Sequence, residues 1–120
     1  MTTRIIKFRA WDIKMKKYLT WEQDREFILD AIPWEMGDEW SECCIVEQFT
    51  GLRDTKGKEI YEGDILRYQT SPDYQVIFQR AEFCAKIDTK DGIGICTLAR
   101  IAEIGAVVGN IHEKQKRSKK

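Results

Sequence analysis

Residues 48–68, QFTGLRDTKGKEIYEGDILRY, place two tight turns inside one short stretch of otherwise extended chain. The first is Asp54-Thr-Lys-Gly57. An aspartate there accepts backbone N–H groups, and a glycine takes positive φ without cost. The second is Glu62-Gly63-Asp64, where Gly63 supplies a backbone angle that a Cβ would forbid. Between and after them lie only Lys58-Glu-Ile-Tyr61 and Ile65-Leu66, too short for helices. A chain that must turn twice this sharply is constrained to short, strongly bent β-strands.

The rest of the chain agrees. Ile6, Phe8 and Ala10 alternate with Lys7, Arg9 and Trp11, which predicts a first, half-buried strand. Asp12 to Lys17 reads as a hairpin loop and Tyr18 to Trp21 as the returning strand. Cys43 to Phe49 suits another strand. Val76 and Phe78 alternate in one phase, and Ala81, Phe83, Ala85 and Ile87 in the other. The slip near Gln79 and Arg80 therefore marks a bulge or a tight hairpin. Asp88 to Gly92 is a further turn, Thr97 to Glu103 has room for one helical turn, and Ala106 to Ile111 suits a buried closing strand. Over 20–32, capping-box spacing of Thr20 and Gln23, with Phe27, Ile28, Ala31 and Ile32 on one face, favours a short helix ended by Pro33 over an irregular extended segment. The predicted fold is mainly β: a single small barrel-like domain, of SH3-like or pseudobarrel type, with one short helix.

At 120 residues the chain has the length of one domain. No run of about 18 apolar residues predicts a membrane span. The start, MTTRIIKFRAWD, has no apolar core of the kind a secretory signal carries, so a cytoplasmic location is expected. The cysteines, Cys43, Cys44, Cys84 and Cys96, have no C-x-x-C spacing, and His112 is the sole histidine. Free thiols without a metal are the expectation, and no cofactor is implied. Net charge is zero but unevenly spread: +5 over 1–20, −8 over 21–47, −2 over 48–113, and +5 over the tail 114–120. The tail reads as a basic, solubilising terminus beyond a domain spanning 1–113.

Several segments taken together resemble one family. IKFRAWD at 6–12, the Tyr18 region after a Lys-Met-Lys-Lys loop, TGLRDTKGKEIYEGDIL at 50–66 and VVGNIHE at 107–113 are similar to the phage-associated YopX family. The resemblance implies a small, mainly β protein encoded by phages or prophages of low-GC Gram-positive bacteria. It carries over no catalytic or binding residues. The residues that make the match are Trp11, Asp12, Gly51, Asp54, Gly57, Tyr61, Gly63, Asp64, Gly109, Asn110 and Glu113, and their expected role is in the fold.

Three chemistries compete for the remaining polar and aromatic residues. Asp54, Glu59, Glu62 and Asp64 offer carboxylates for acid–base work or a divalent cation, but two of them sit where turns need a local acceptor. A cysteine with His112 as base would be a nucleophilic pair. Neither has a motif behind it, and an enzyme is not expected. Lys7, Arg9 and Trp11 share one strand face and, with Lys116 and Arg117 of the tail, form a candidate nucleic-acid surface. Against that, Trp11 also suits packing under a loop while its neighbours snorkel. Trp34 and Trp40 stand among Glu35, Asp38 and Glu39. Rings among carboxylates repel phosphates but suit a basic protein surface. The favoured expectation is a non-enzymatic accessory protein that contacts a host or phage protein through this acidic segment. Nucleic-acid binding is the alternative, and self-association is open through the exposed chain at Ile111 to Glu113.

Overall fold

The structure is a computed structural model, and it describes residues 5–31 and 44–113. The acidic segment with Trp34, Glu35, Asp38, Glu39 and Trp40, together with Cys43 and the tail residues Lys116 and Arg117, lies outside the described residues. The fold is mainly β, with a half-barrel sheet. Contacts divide the chain into two compact units, with the boundary between Phe49 and Thr50, where the sequence suggests one undivided domain.

In the first unit, β1 (Phe8–Asp12) pairs antiparallel with β2 (Lys17–Leu19) and with the start of β3 (Cys44–Arg53). The strand begins two residues later than Ile6. Ile5 and Ile6 are exposed, and Ala10 is the residue that β1 buries fully. The β1–β2 loop is tied by Asp12, whose Oδ1 accepts the N–H groups of Lys14 and Met15 at 3.0 and 2.9 Å. The predicted helix is present as α1 (Trp21–Ala31), kinked at Asp24. Its start is not a capping box. The Asp24 carboxylate accepts the Thr20 N–H at 3.1 Å, while the Thr20 hydroxyl is buried without a partner. Of the predicted apolar face, Ile28 is buried and Phe27 is 45% exposed. Ile28, Ala10 and Cys44 form the small core, with Phe8, Leu19, Trp21 and Val46 packed on it.

In the second unit the end of β3 pairs with β4 (Glu59–Tyr61). The strands β5 (Asp64–Arg67), β6 (Tyr74–Gln79), β7 (Glu82–Thr89), β8 (Gly92–Thr97) and β9 (Ala106–Asn110) form an antiparallel sheet in the order β8-β7-β6-β5-β9. A second helix, α2 (Leu98–Ile104), packs against β7 and β8. A third helical turn follows β9 at residues 111–113, so the single short helix expected becomes three. Leu98, Ile101 and Ala102 of α2 meet Ile60, Leu66, Val76 and Ala85 in the core, none more than 5% exposed.

One open choice is decided here and one expectation is corrected. The phase slip near Gln79 is the tight hairpin rather than a bulge, with Gln79 opposite Glu82 and both Arg80 and Ala81 at positive φ. The last strand is not a buried closing strand. β9 lies at the sheet edge, its first four residues only half-buried, with a register shift opposite Ile65 and Leu66. β8 has no counterpart among the expected strands, because its alternation of Gly92, Ile93, Gly94 and Ile95 gives no strand-like polar period.

Candidate functional site

Of the predicted basic-aromatic stripe, Arg9 and Trp11 share one face of β1 and Lys7 stands just before the strand, and both cations are already engaged. Arg9 stands directly opposite Glu47 across the β1–β3 ladder. Its Nε donates to Glu47 Oε1 at 2.9 Å, with side-chain exposures of 13% and 3%. Tyr18, on the β2 side, donates its hydroxyl to the same oxygen at 2.9 Å, and the Arg9 guanidinium lies 4.0 Å from the Tyr18 ring centre. Trp11 meets that ring edge-on at 4.9 Å. Lys7 is buried, with Nζ 5.0 Å from the Phe49 ring centre and 3.4 Å from Glu22 Oε2. The Glu22 carboxyl is held below the usual glutamate range, first by a backbone N–H, against some burial, and then by the Lys7 charge. A guanidinium that already faces a desolvated carboxylate offers little to a phosphate. The stripe is therefore a closed network rather than an open groove. Glu47 is the residue that sequence reading missed. A lone acid between Val46 and Phe49 in an apolar strand, with a basic strand nearby, was the available signal.

The central motif builds a second polar centre. Asp54 is 7% exposed. Its Oδ1 accepts the N–H groups of Lys56 and Lys58 at 2.8 and 2.9 Å, and its Oδ2 that of Val107 at 2.8 Å. Burial pushes this carboxyl up. The N–H donors of Val107, Lys58 and Lys56, with the Lys58 charge, outweigh it and hold the carboxyl below its ordinary value. Thr55 adds its N–H and its hydroxyl to the Gly105 carbonyl at 3.1 and 3.0 Å. Gly57 closes the turn at φ +83. Asp64, 2% exposed, accepts the Tyr61 N–H at 2.8 Å, and Gly63 between them is at φ +92. Gly51 takes φ +88 within β3.

At the end of β9, Asn110 Oδ1 accepts the N–H groups of His112 and Glu113, and its amide donates to Glu113 Oε1. Gly109, next to it, has space around its Cα up to Glu113. The motif residues Asp54, Asp64 and Asn110 thus use carboxylate or amide oxygens to hold backbone N–H groups.

Nucleophilic chemistry finds little support in this geometry. Burial, followed by the charge of Glu82 and a hydrogen bond to it, pushes the Cys84 thiol up, away from the reactive thiolate. Cys44, Cys84 and Cys96 are free thiols. Among the described residues no three of His, Cys, Asp and Glu gather to hold a metal ion, and no helix is long and apolar enough to cross a membrane.

Comparison with known proteins follows the same lines. No curated protein matches the chain. A solved structure, the crystal structure of protein EF1440 from Enterococcus faecalis, superposes with a TM-score of 0.64 at 22% sequence identity, covering 96% of this chain and 99% of that one. The likeness is one of fold. The family model YopX protein matches residues 7–117, nearly the whole length. The chain belongs to the YopX family.

Proposed function

We propose that this chain is a non-enzymatic phage or prophage accessory protein that acts in the host cytoplasm through protein–protein contacts. The observation that supports this reading is the use made of the motif carboxylates. Asp54 and Asp64, two of the acid–base candidates in the sequence, are buried; Asp54 accepts three backbone N–H groups and Asp64 accepts that of Tyr61. A general base must present a free lone pair to a substrate proton. The ion pairs of Lys7 and Arg9 weigh in the same direction against nucleic acid as the main ligand.

The recognition surface in this proposal is the acidic segment with Trp34, Glu35, Asp38, Glu39 and Trp40, argued from composition. Aromatic anchors inside a charged rim are the usual source of interface energy. Its occupant would be a basic surface on a host or phage protein. The test is capture from host lysate by the tagged chain and by the Trp34→Ala, Trp40→Ala double variant, each with and without nuclease. A discrete protein held by the wild type under both conditions and lost by the double variant is the expected result. Equal capture by the double variant overturns the surface. Recovery of nucleic acid that weakens steeply with salt and survives deletion of 114–120, with proteins lost after nuclease, overturns the protein-contact reading.

A further inference from the structure

We propose that β8 is a self-pairing edge, through which two copies of this chain join antiparallel about a two-fold axis at Gly94. This goes beyond the functional reading above and does not depend on it. The five-stranded sheet has two edges, and they are treated differently. At β9, Asp54 takes the Val107 N–H, and Thr55 bonds the Gly105 carbonyl just before the strand. That edge is tied down at its start. At β8, among the described residues, nothing beyond β7 is seen to hydrogen-bond to residues 93–96.

Edge strands normally carry a device against pairing: a charge, a proline, a bulge or very short length. The six residues of β8, GIGICT, carry no charge and no proline, and their ladder with β7 runs in regular register. Ile93 and Ile95 are 62% and 46% exposed on one face of this edge. Unpaired backbone groups beside exposed β-branched side chains suit strand addition.

The charges on β7 select both the occupant and the register. On the face that carries the isoleucines, Lys86 is opposite Ile95 and Asp88 is opposite Ile93. With the axis at Gly94, Ile93 of one copy lies opposite Ile95 of the other. Each row across the joined sheets then runs Asp88, Ile93, Ile95, Lys86, with opposite charges at its two ends. Moving the axis to Ile95 would end the central row in two lysines, and moving it to Ile93 would end it in two aspartates. The strand is thus self-complementary in one antiparallel register, as an isologous two-fold contact requires. An isologous two-fold contact uses up the β8 edge of both copies, so pairing through it closes at two.

Sedimentation velocity on the full chain, from low to high micromolar, tests this. The expected result is a concentration-dependent species of twice the 14.1 kDa chain mass. Ile95→Lys and Ile93→Glu should each raise the dimer dissociation constant by about tenfold, since each change is felt in two symmetric rows. Combining them sets opposite charges face to face across the axis and should restore dimerisation towards wild type. A chain that is monomeric throughout the range overturns the proposal. So does a dimer indifferent to both single changes, or a double variant that keeps its far-ultraviolet circular dichroism yet dimerises no better than either single one.

Discussion

Asp54 Oδ2 accepts the backbone N–H of Val107 at 2.8 Å, across 53 positions of sequence. The same carboxylate holds its own turn through Lys56 and Lys58. One side chain therefore fixes a local loop and anchors the last strand to it. Asp54→Ala would leave three N–H donors without their charged acceptor. The expected loss is about 3 kcal/mol, because hydrogen bonds to charged groups contribute more than neutral ones and the buried donors pay desolvation. A lower urea midpoint at unchanged slope checks it.

The same site sets an acid dependence. The folded Asp54 carboxyl lies below its ordinary value, so folding favours its charged form. Its stabilisation is fully present above the unfolded-chain value of about 3.9 and is lost as pH falls through the lower folded value. Asp54→Asn is less stable than wild type at neutral pH, and the gap should narrow as pH falls below about 4. Urea unfolding at several pH values reads this directly, and a constant gap would contradict it.

The Arg9–Glu47 pair predicts an asymmetry between breaking and replacing. Glu47 is nearly fully buried and accepts from both Arg9 and Tyr18. Glu47→Ala leaves the guanidinium facing an empty, poorly solvated site, at an expected cost of about 3 kcal/mol. Replacing both partners, Arg9→Met with Glu47→Leu, removes the charges together and should cost less than Glu47→Ala alone. A thermal or urea double-mutant cycle gives the coupling.

The legible parts of this chain were those in which local chemistry and the fold agree. Asp54, Gly57, Gly63 and Asp64 announce turns because their short-range hydrogen bonds and positive φ angles need nothing from the rest of the molecule. Arg9 and Trp11 were legible as a shared strand face, since a period of two fixes that much. The neutralisation of Lys7 and Arg9 was not, because Glu22 and Glu47 arrive from 15 and 38 residues away. β8 was hidden for a different reason. Gly92 and Gly94 break the alternation of polar and apolar residues that marks a strand. β9 was read as buried because Ala106, Val107 and Val108 put apolar residues on both faces. The tie from Asp54 to Val107, a long-range event, holds this strand at the sheet edge.

Gly105 and Gly94 should respond differently to alanine. A Cβ on Gly105 would lie 3.1 Å from the Ile101 carbonyl oxygen in α2 and 3.2 Å from that of Arg67 at the end of β5, both backbone atoms. Neither can yield without disturbing the helix or β5, so Gly105→Ala should cost roughly 1–3 kcal/mol. At Gly94 the obstacle is a single side-chain methyl, Ile87 Cγ2 at 3.1 Å, rather than backbone. Gly94→Ala should stay within about 0.5 kcal/mol of wild type. Comparing the two melting curves decides the matter, and an equal loss at both positions would be wrong for this packing.

The β6–β7 hairpin carries a strain that a substitution should release. Arg80 and Ala81 stand at φ +53 and +65 between the paired residues Gln79 and Glu82. Two positive φ angles in a two-residue loop belong to the turn type that prefers Asn-Gly, and neither residue here is one that adopts it freely. A residue with a Cβ pays roughly 1–2 kcal/mol in that region. Glycine removes the penalty but gives back about 0.5–1 kcal/mol through the greater freedom of the unfolded chain. Ala81→Gly should therefore stabilise by about 0.5–1 kcal/mol, and adding Arg80→Asn should increase the gain. Both positions are exposed, so no packing loss offsets it. The urea midpoint should rise at constant slope. A fall would mean that the turn is held in this geometry by something other than the pairing of Gln79 with Glu82.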